Sequence, residues 1–306
     1  MQESNTGRAL PQLDTVASAL EQTLENEPAL LDLMVQALSK GASPADLWEQ
    51  LHANAQRDGR IAELAAAYDT VCRDRKVRLL QPAAQIELLT NGASFICDIA
   101  GDGATAQPHL ERIMQLSPGN VDAFQRLETV LREREDWVKL AELYMSMSSH
   151  RQDKQEQLAF MRAAVQIYGA LPGEEEKAFK LHQQILRVDP TDADSRTAMT
   201  ERLTAAGRLS DVAKLFEAAI AADPPAAEEE VLALREQAIE LYVDRLHELE
   251  KALPHAEEVL KKNADSELAW RACEQLLRTR HWLPGQLQRS RVCTWRASSS
   301  KTPRAC

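Results

Sequence analysis

Along residues 47–71, LWEQLHANAQRDGRIAELAAAYDTV, apolar side chains recur at Trp48, Leu51 and Ala55, then at Ile61, Leu64, Tyr68 and Val71. Spacings of three and four residues put each set on one face of an α-helix, with polar residues on the other. Gly59 lies between the two sets, in RDGR. Glycine adopts a positive φ readily, so it ends the first helix and lets the chain reverse. The stretch predicts a helical hairpin. Residues 123–147 supply Phe124, Leu127, Trp137, Leu140 and Tyr144 in the same columns, and residues 195–219 supply Met199, Leu203, Gly207, Val212 and Phe216. Residues 92–118 fit too, with Gly101 at the turn and Ala106, Leu110 and Ile113 on the second helix. Pro118, Pro190 and Pro224 close their units, because proline cannot continue a helix.

With the first-helix aromatic column as marker, the register runs Asp14, Trp48, Thr90, Phe124, Arg162, Arg196, Glu236 and Trp270, at spacings of 34, 42, 34, 38, 34, 40 and 34 residues. The alternation predicts paired units of roughly 72–76 residues and about eight hairpins, the last incomplete. Each hairpin has an apolar face that it cannot bury alone, and stacking on a neighbour buries it. Trp48, Trp137, Tyr144, Phe216 and Trp270 are therefore expected to be packing residues. Pro254, inside HELEKALPHAEEVLKK, predicts a kink or a late helix start.

Composition agrees with helix. Only 5% of residues are aromatic, glycines number 11, and Ala, Leu and Glu dominate. The expected fold is all-α, a right-handed α-α superhelix with a repeat domain over residues 11–282 and a disordered N-terminus over 1–10.

The columns resemble the tetratricopeptide repeat family. Its first helix carries Trp, Leu, Gly and Tyr, its turn Gly-Asp-aromatic, and its second helix Ala, an aromatic and Ala before a Pro. Trp48, Leu51, Tyr68, the AGDG and AAGRL turns, Ala106, Ala178, Phe216, Ala219 and the VDP and ADP ends match that pattern. His52, Ser94 and Glu128 replace its small Gly, and Leu64 and Leu140 its small Ala, so the repeats are degenerate. The resemblance implies a scaffold that holds a peptide or partner helix along the face formed by first helices. One subset of the family clamps a C-terminal carboxylate with Lys, Asn and Arg. Among Gln125, Arg126, Thr129, Thr197, Ala198 and Glu201 only Arg126 has that chemistry. Candidate groove residues are Arg126, Thr129, Glu133 and Glu201.

Net charge is −11 and the sequence pI about 5.2. A phosphate backbone needs a basic surface, so a nucleic-acid partner is not expected. The partner expected is a protein or peptide, basic or mixed in charge. Cys72, Cys97, Cys273, Cys293 and Cys306 form neither a CxxC pair nor a Cys/His cluster, which points to reduced thiols and no zinc. The N-terminal residues lack an apolar signal core and no run is long enough to span a membrane, so a cytoplasmic location is expected.

Catalytic motifs are not found. DIAGDGAT (98–105) lacks the alternating ligands and closing Glu of a calcium loop. HELEK has Lys251 where a zinc hydrolase needs its second His, and the Glu174–Glu176 run suits the positive end of a helix. No catalytic residue, metal or cofactor is predicted. Residues 283–306 contain no Asp or Glu and five Lys or Arg, leaving −16 on the rest of the chain. This segment reads as a basic, disordered tail or as non-native sequence following a repeat cut short. Trp270's hairpin then lacks its second helix, and self-association through that open end is expected. The alternatives to a scaffold are a partial fragment of a longer repeat protein and an enzyme built on a helical array.

Overall fold

The computed structural model describes residues 44–223 and 225–279. The hairpin expected around Asp14, the segment 1–10 and the tail 283–306 lie outside the described residues. Among those described are thirteen α-helices and no strand. The chain divides into two compact units, Met1–Ile167 and Tyr168–Cys306.

In the first unit α1 (Pro44–Arg57) pairs with α2 (Ile61–Arg73), α3 (Pro82–Ser94) with α4 (Gly103–Leu116), and α5 (Val121–Glu133) with α6 (Trp137–Ser149). Helix α7 (Lys154–Ala170) crosses the division. The second unit holds α8 (Glu175–Val188), α9 (Ala193–Ala205), α10 (Leu209–Ile220), α11 (Glu228–Glu240), α12 (Leu249–Lys262) and α13 (Glu267–Thr279). Helix α13 begins a hairpin whose continuation lies outside the described residues. Helices α3 and α11 each run on into a π-helical turn, Phe95–Ile99 and Leu241–Leu246.

Backbone geometry marks the repeat register independently of side-chain identity. Six described residues have left-handed φ: Gly59, Gly101, Glu135, Gly173, Gly207 and His247. Each stands eleven residues after its register marker, from Trp48 through Glu236. The turn that reverses the chain is therefore one conformation used six times. Glycine occupies four of the sites, while Glu135 and His247 adopt the same φ of 55° against the steric cost of a Cβ.

Side chains complete the helix starts. Asp102, Asn120 and Asp192 accept hydrogen bonds from the backbone amides of Thr105, Ala123 and Ser195, satisfying donors that a helix N-terminus leaves unpaired. At Gly103 an added Cβ would stand 2.8 Å from Val130 Cγ2, so the approach of α4 to α5 requires glycine there.

Within each unit the strong helix contacts join elements adjacent or next but one along the chain, which is the stacking expected of hairpin repeats. Leu64, Tyr68, Leu88, Phe95 and Ile113 are fully buried in the first unit, and Phe216, Ala238, Tyr242, Ala256 and Val259 join one apolar cluster in the second. Trp48, Tyr144 and Phe216 are packing residues as expected, and Trp270 is partly buried against the same cluster. Trp137 departs from the expectation. It is the first residue of α6, beside the hairpin mouth, and leaves 36% of its surface exposed.

The two units also repeat one another. Pro108-His109 in α4 and Pro254-His255 in α12 stand seven and eight residues after their left-handed residues. Both prolines are exposed, and both helices begin five residues before them, so the late start expected at Pro254 does not occur. Solvent is free to satisfy the carbonyl that each proline leaves without a donor. His109 bonds Asp69 of α2 at 2.8 Å and His255 bonds Glu217 of α10 at 2.9 Å, each tying one hairpin's second helix to the next. Asp98 and Asp244, in the two π turns, pair with Arg126 of α5 and Arg271 of α13.

Relieving the strain at Glu135 tests the turn assignment. Glu135→Gly is expected to raise unfolding stability by about 0.5–1 kcal/mol. Gly207→Ala, whose new Cβ would meet no atom within 4 Å, should lower it by about 1 kcal/mol through backbone strain alone. Urea unfolding followed by helical circular dichroism measures both.

Candidate functional site

Of the groove residues expected from sequence, Arg126, Thr129 and Glu133 lie on α5 in the first unit and Glu201 on α9 in the second. Arg126 is held by Asp98 and by Asp122, the latter at 3.2 Å. Its guanidinium is thus committed within the unit. Thr129 donates its hydroxyl hydrogen to the Gln125 carbonyl one turn back, at 3.0 Å. Glu133 ends α5, exposed. Burial, followed by the charge of Asp98 and with a smaller part from Glu133, pushes the Cys97 thiol up to about 11, which leaves it unreactive at neutral pH.

Glu201 lines an open cavity of about 490 Å³ between α9, α10, α11 and the π turn after α11. Val212 and Phe216 of α10, with Leu234 and Leu241, form its apolar floor. Thr197, Thr200 and Glu201 of α9 face Gln237, Glu240, Asp244 and Arg245 across it. At one edge the largely buried Arg196 bonds Glu230 at 2.6 Å and the Thr191 carbonyl at 3.2 Å. Asp244 is paired with Arg271 at 2.7 Å. Glu201, Glu240 and Arg245 have no ion pair among the described residues. The Thr200 hydroxyl oxygen is buried and has no hydrogen-bond partner, a condition that costs about 1–3 kcal/mol.

The equivalent positions of the first unit are filled differently. Trp48 and His52 precede Gly59 by the same eleven and seven residues as Arg196 and Thr200 precede Gly207. Tyr68 follows Gly59 as Phe216 follows Gly207, and Phe95 opens the first π turn as Leu241 opens the second. There His52 Nε2 meets the Tyr68 hydroxyl at 2.9 Å, and the His52 ring lies 4.7 Å from that of Phe95. Trp48 lies 6.2 Å from Tyr68 and donates its indole hydrogen to Glu87. An interlocked aromatic cluster occupies the first unit; Arg, Thr, Phe and Leu surround open volume in the second. Thr200, Glu240 and Arg245 were not singled out from sequence, although counting back from the glycine turns would have aligned Thr200 with His52.

Among the described residues no group of three or more His, Cys, Asp or Glu could hold a metal ion. Nor is any described helix long and apolar enough to cross a membrane.

No protein-family model matches the chain, and no curated protein matches it in sequence. It is similar to a solved tetratricopeptide repeat protein from Parabacteroides merdae, at 12% identity and a TM-score of 0.30, over 88% of this chain and 98% of that one. It is similar also to YrrB, described as a TPR protein with an unusual peptide-binding site, at 15% identity and a TM-score of 0.28, over 69% and 99% of the two chains. A match in the structure of Naa15/Naa10 bound to HypK-THB has 13% identity, a TM-score of 0.37 and 85% coverage of this chain, which spans 38% of that one. Overlaps this loose carry no functional argument. The description of this protein as a tandem array of degenerate, tetratricopeptide-like hairpins stands on its own register and contacts.

Burial makes the His52 cluster pH-sensitive. Desolvation lowers the His52 pKa to about 4, and burial also lowers those of His109 and His182. A lowered histidine pKa means that the unfolded chain binds more protons, so stability is full above about 6.5 and falls as pH drops toward 4. Unfolding midpoints in urea between pH 7 and 4.5 should decline, and His52→Gln should flatten the decline.

Proposed function

We propose that this protein is a non-catalytic interaction scaffold that binds a peptide or partner helix on the face made by the first helices of its hairpins. The supporting observation is the cavity between first helices α9 and α11, with its apolar floor and the unpaired carboxylates of Glu201 and Glu240. A cavity of this size with a few convergent polar groups is what ligand sites present. A scaffold whose helices are already packed lowers the ordering cost of binding on its own side. In the first unit, taken by itself, Arg126, Thr129 and Glu133 of α5 are proposed as a further peptide contact, with Arg126 acting through its ion pairs. The excess of acid favours a basic or mixed partner, met in the cytoplasm.

The test is affinity capture with the full chain beside Glu201→Lys/Glu240→Lys, read by mass spectrometry. Partners retained by the native chain and lost by the charge-reversed one, at unchanged helix content, are expected. A partner set that does not change between the two would remove this face from the function.

A further inference from the structure

We infer that the second unit's cavity receives an aromatic side chain of a bound peptide, with a lysine or arginine next to it in the peptide. This rests on the scaffold reading above and specifies its ligand. The aromatic part follows from the repetition between units. At this place the first unit packs an imidazole against a phenol whose hydroxyl is hydrogen-bonded, His52 to Tyr68 at 2.9 Å. In the second unit Thr200 and Phe216 stand at those positions, so one ring and one hydroxyl are missing. What remains is open volume lined by Thr200, Phe216 and Leu241. An aromatic side chain supplies the missing ring, packed against Phe216 and Leu241.

The cationic part follows from the rim. Glu201, Glu230, Glu240 and Asp244 line the cavity against Arg196 and Arg245. Arg196 is paired with Glu230 and Asp244 with Arg271, so among the described residues Glu201, Glu240 and Arg245 have no ion pair. A lysine or arginine beside the aromatic residue pairs with Glu201 or Glu240, and an acidic neighbour is repelled.

The experiment is selection of a displayed library of random short peptides on the full chain, followed by calorimetry of the enriched peptides. Phenylalanine, tyrosine or tryptophan adjacent to lysine or arginine is expected. Affinity should fall about tenfold or more for Thr200→His/Phe216→Tyr, which rebuilds the first unit's filling. It should fall several-fold for Glu201→Gln/Glu240→Gln, with a shallower salt dependence. Helix content and urea unfolding establish that the filled variant is folded.

Enriched peptides that bind the filled variant as well as the native chain would overturn the cavity assignment while leaving the scaffold reading in place. Cavity-dependent peptides that are acidic, or whose aromatic residue is histidine or absent, would overturn the assigned chemistry. Failure of any peptide to enrich would overturn both readings.

Discussion

Everything in this protein follows from the fact that a pair of amphipathic helices leaves an apolar face uncovered. Tyr68, Phe95 and Ile113 reach complete burial only because successive hairpins lie against one another. Such burial contributes about 1.5–3 kcal/mol for each large side chain, an upper range because unfolded chains are already partly compact. Stability is therefore largely a sum of contacts between sequence neighbours. It also explains why one turn conformation recurs. Unless each reversal delivers the second helix at the same angle, the next hairpin has nothing complementary to pack on. Glu135 and His247 accept an unfavourable backbone state for that reason.

Polar links fix the register of the apolar stack. Apolar faces tolerate sliding, whereas a bond such as His109 to Asp69 or His255 to Glu217 has a definite length and direction. Each histidine is itself nearly inaccessible, at 3% and 5% side-chain exposure, while its carboxylate keeps some contact with water. The arrangement spares the acid most of the cost of burial and still pins one helix to the next. Arg126 illustrates the same economy. Bonds to Asp98 and Asp122 make it a connector between hairpins, not the free cation that its helix position alone would indicate.

Much of the architecture was legible because its causes are local. Helical periodicity is set by backbone geometry, and a glycine between two periodic stretches declares the reversal, as at Gly59 and Gly207. The left-handed states of Glu135 and His247 carry no such sign and emerge only once the spacing is trusted over residue identity. Trp137 was misread because its column predicts a face, whereas exposure at the first residue of a helix depends on what covers the hairpin mouth. The ion pairing of Arg126 was not legible because its partner Asp98 lies 28 residues away, on a turn whose π-helical geometry no residue pattern announced. Glu201 lines the second unit's cavity, which could not be seen from one repeat alone.

That cavity exists as a difference between two versions of one arrangement. Where the first unit has Trp48, His52, Tyr68 and Phe95, the second has Arg196, Thr200, Phe216 and Leu241, while the hairpin helices and their left-handed turns keep their places. A fold optimised for stability alone would close such a space, since unfilled volume forfeits dispersion contacts and a buried unpaired hydroxyl adds a desolvation cost. The first unit shows that the architecture can close it, with side chains drawn from the ordinary repertoire. Stability therefore does not account for the open version. Local departures from the rules that govern the rest of a structure are where binding sites are expected. Here the departure combines an open cavity with an apolar floor, two carboxylates without an ion pair among the described residues and, beneath the surface, an unpaired hydroxyl.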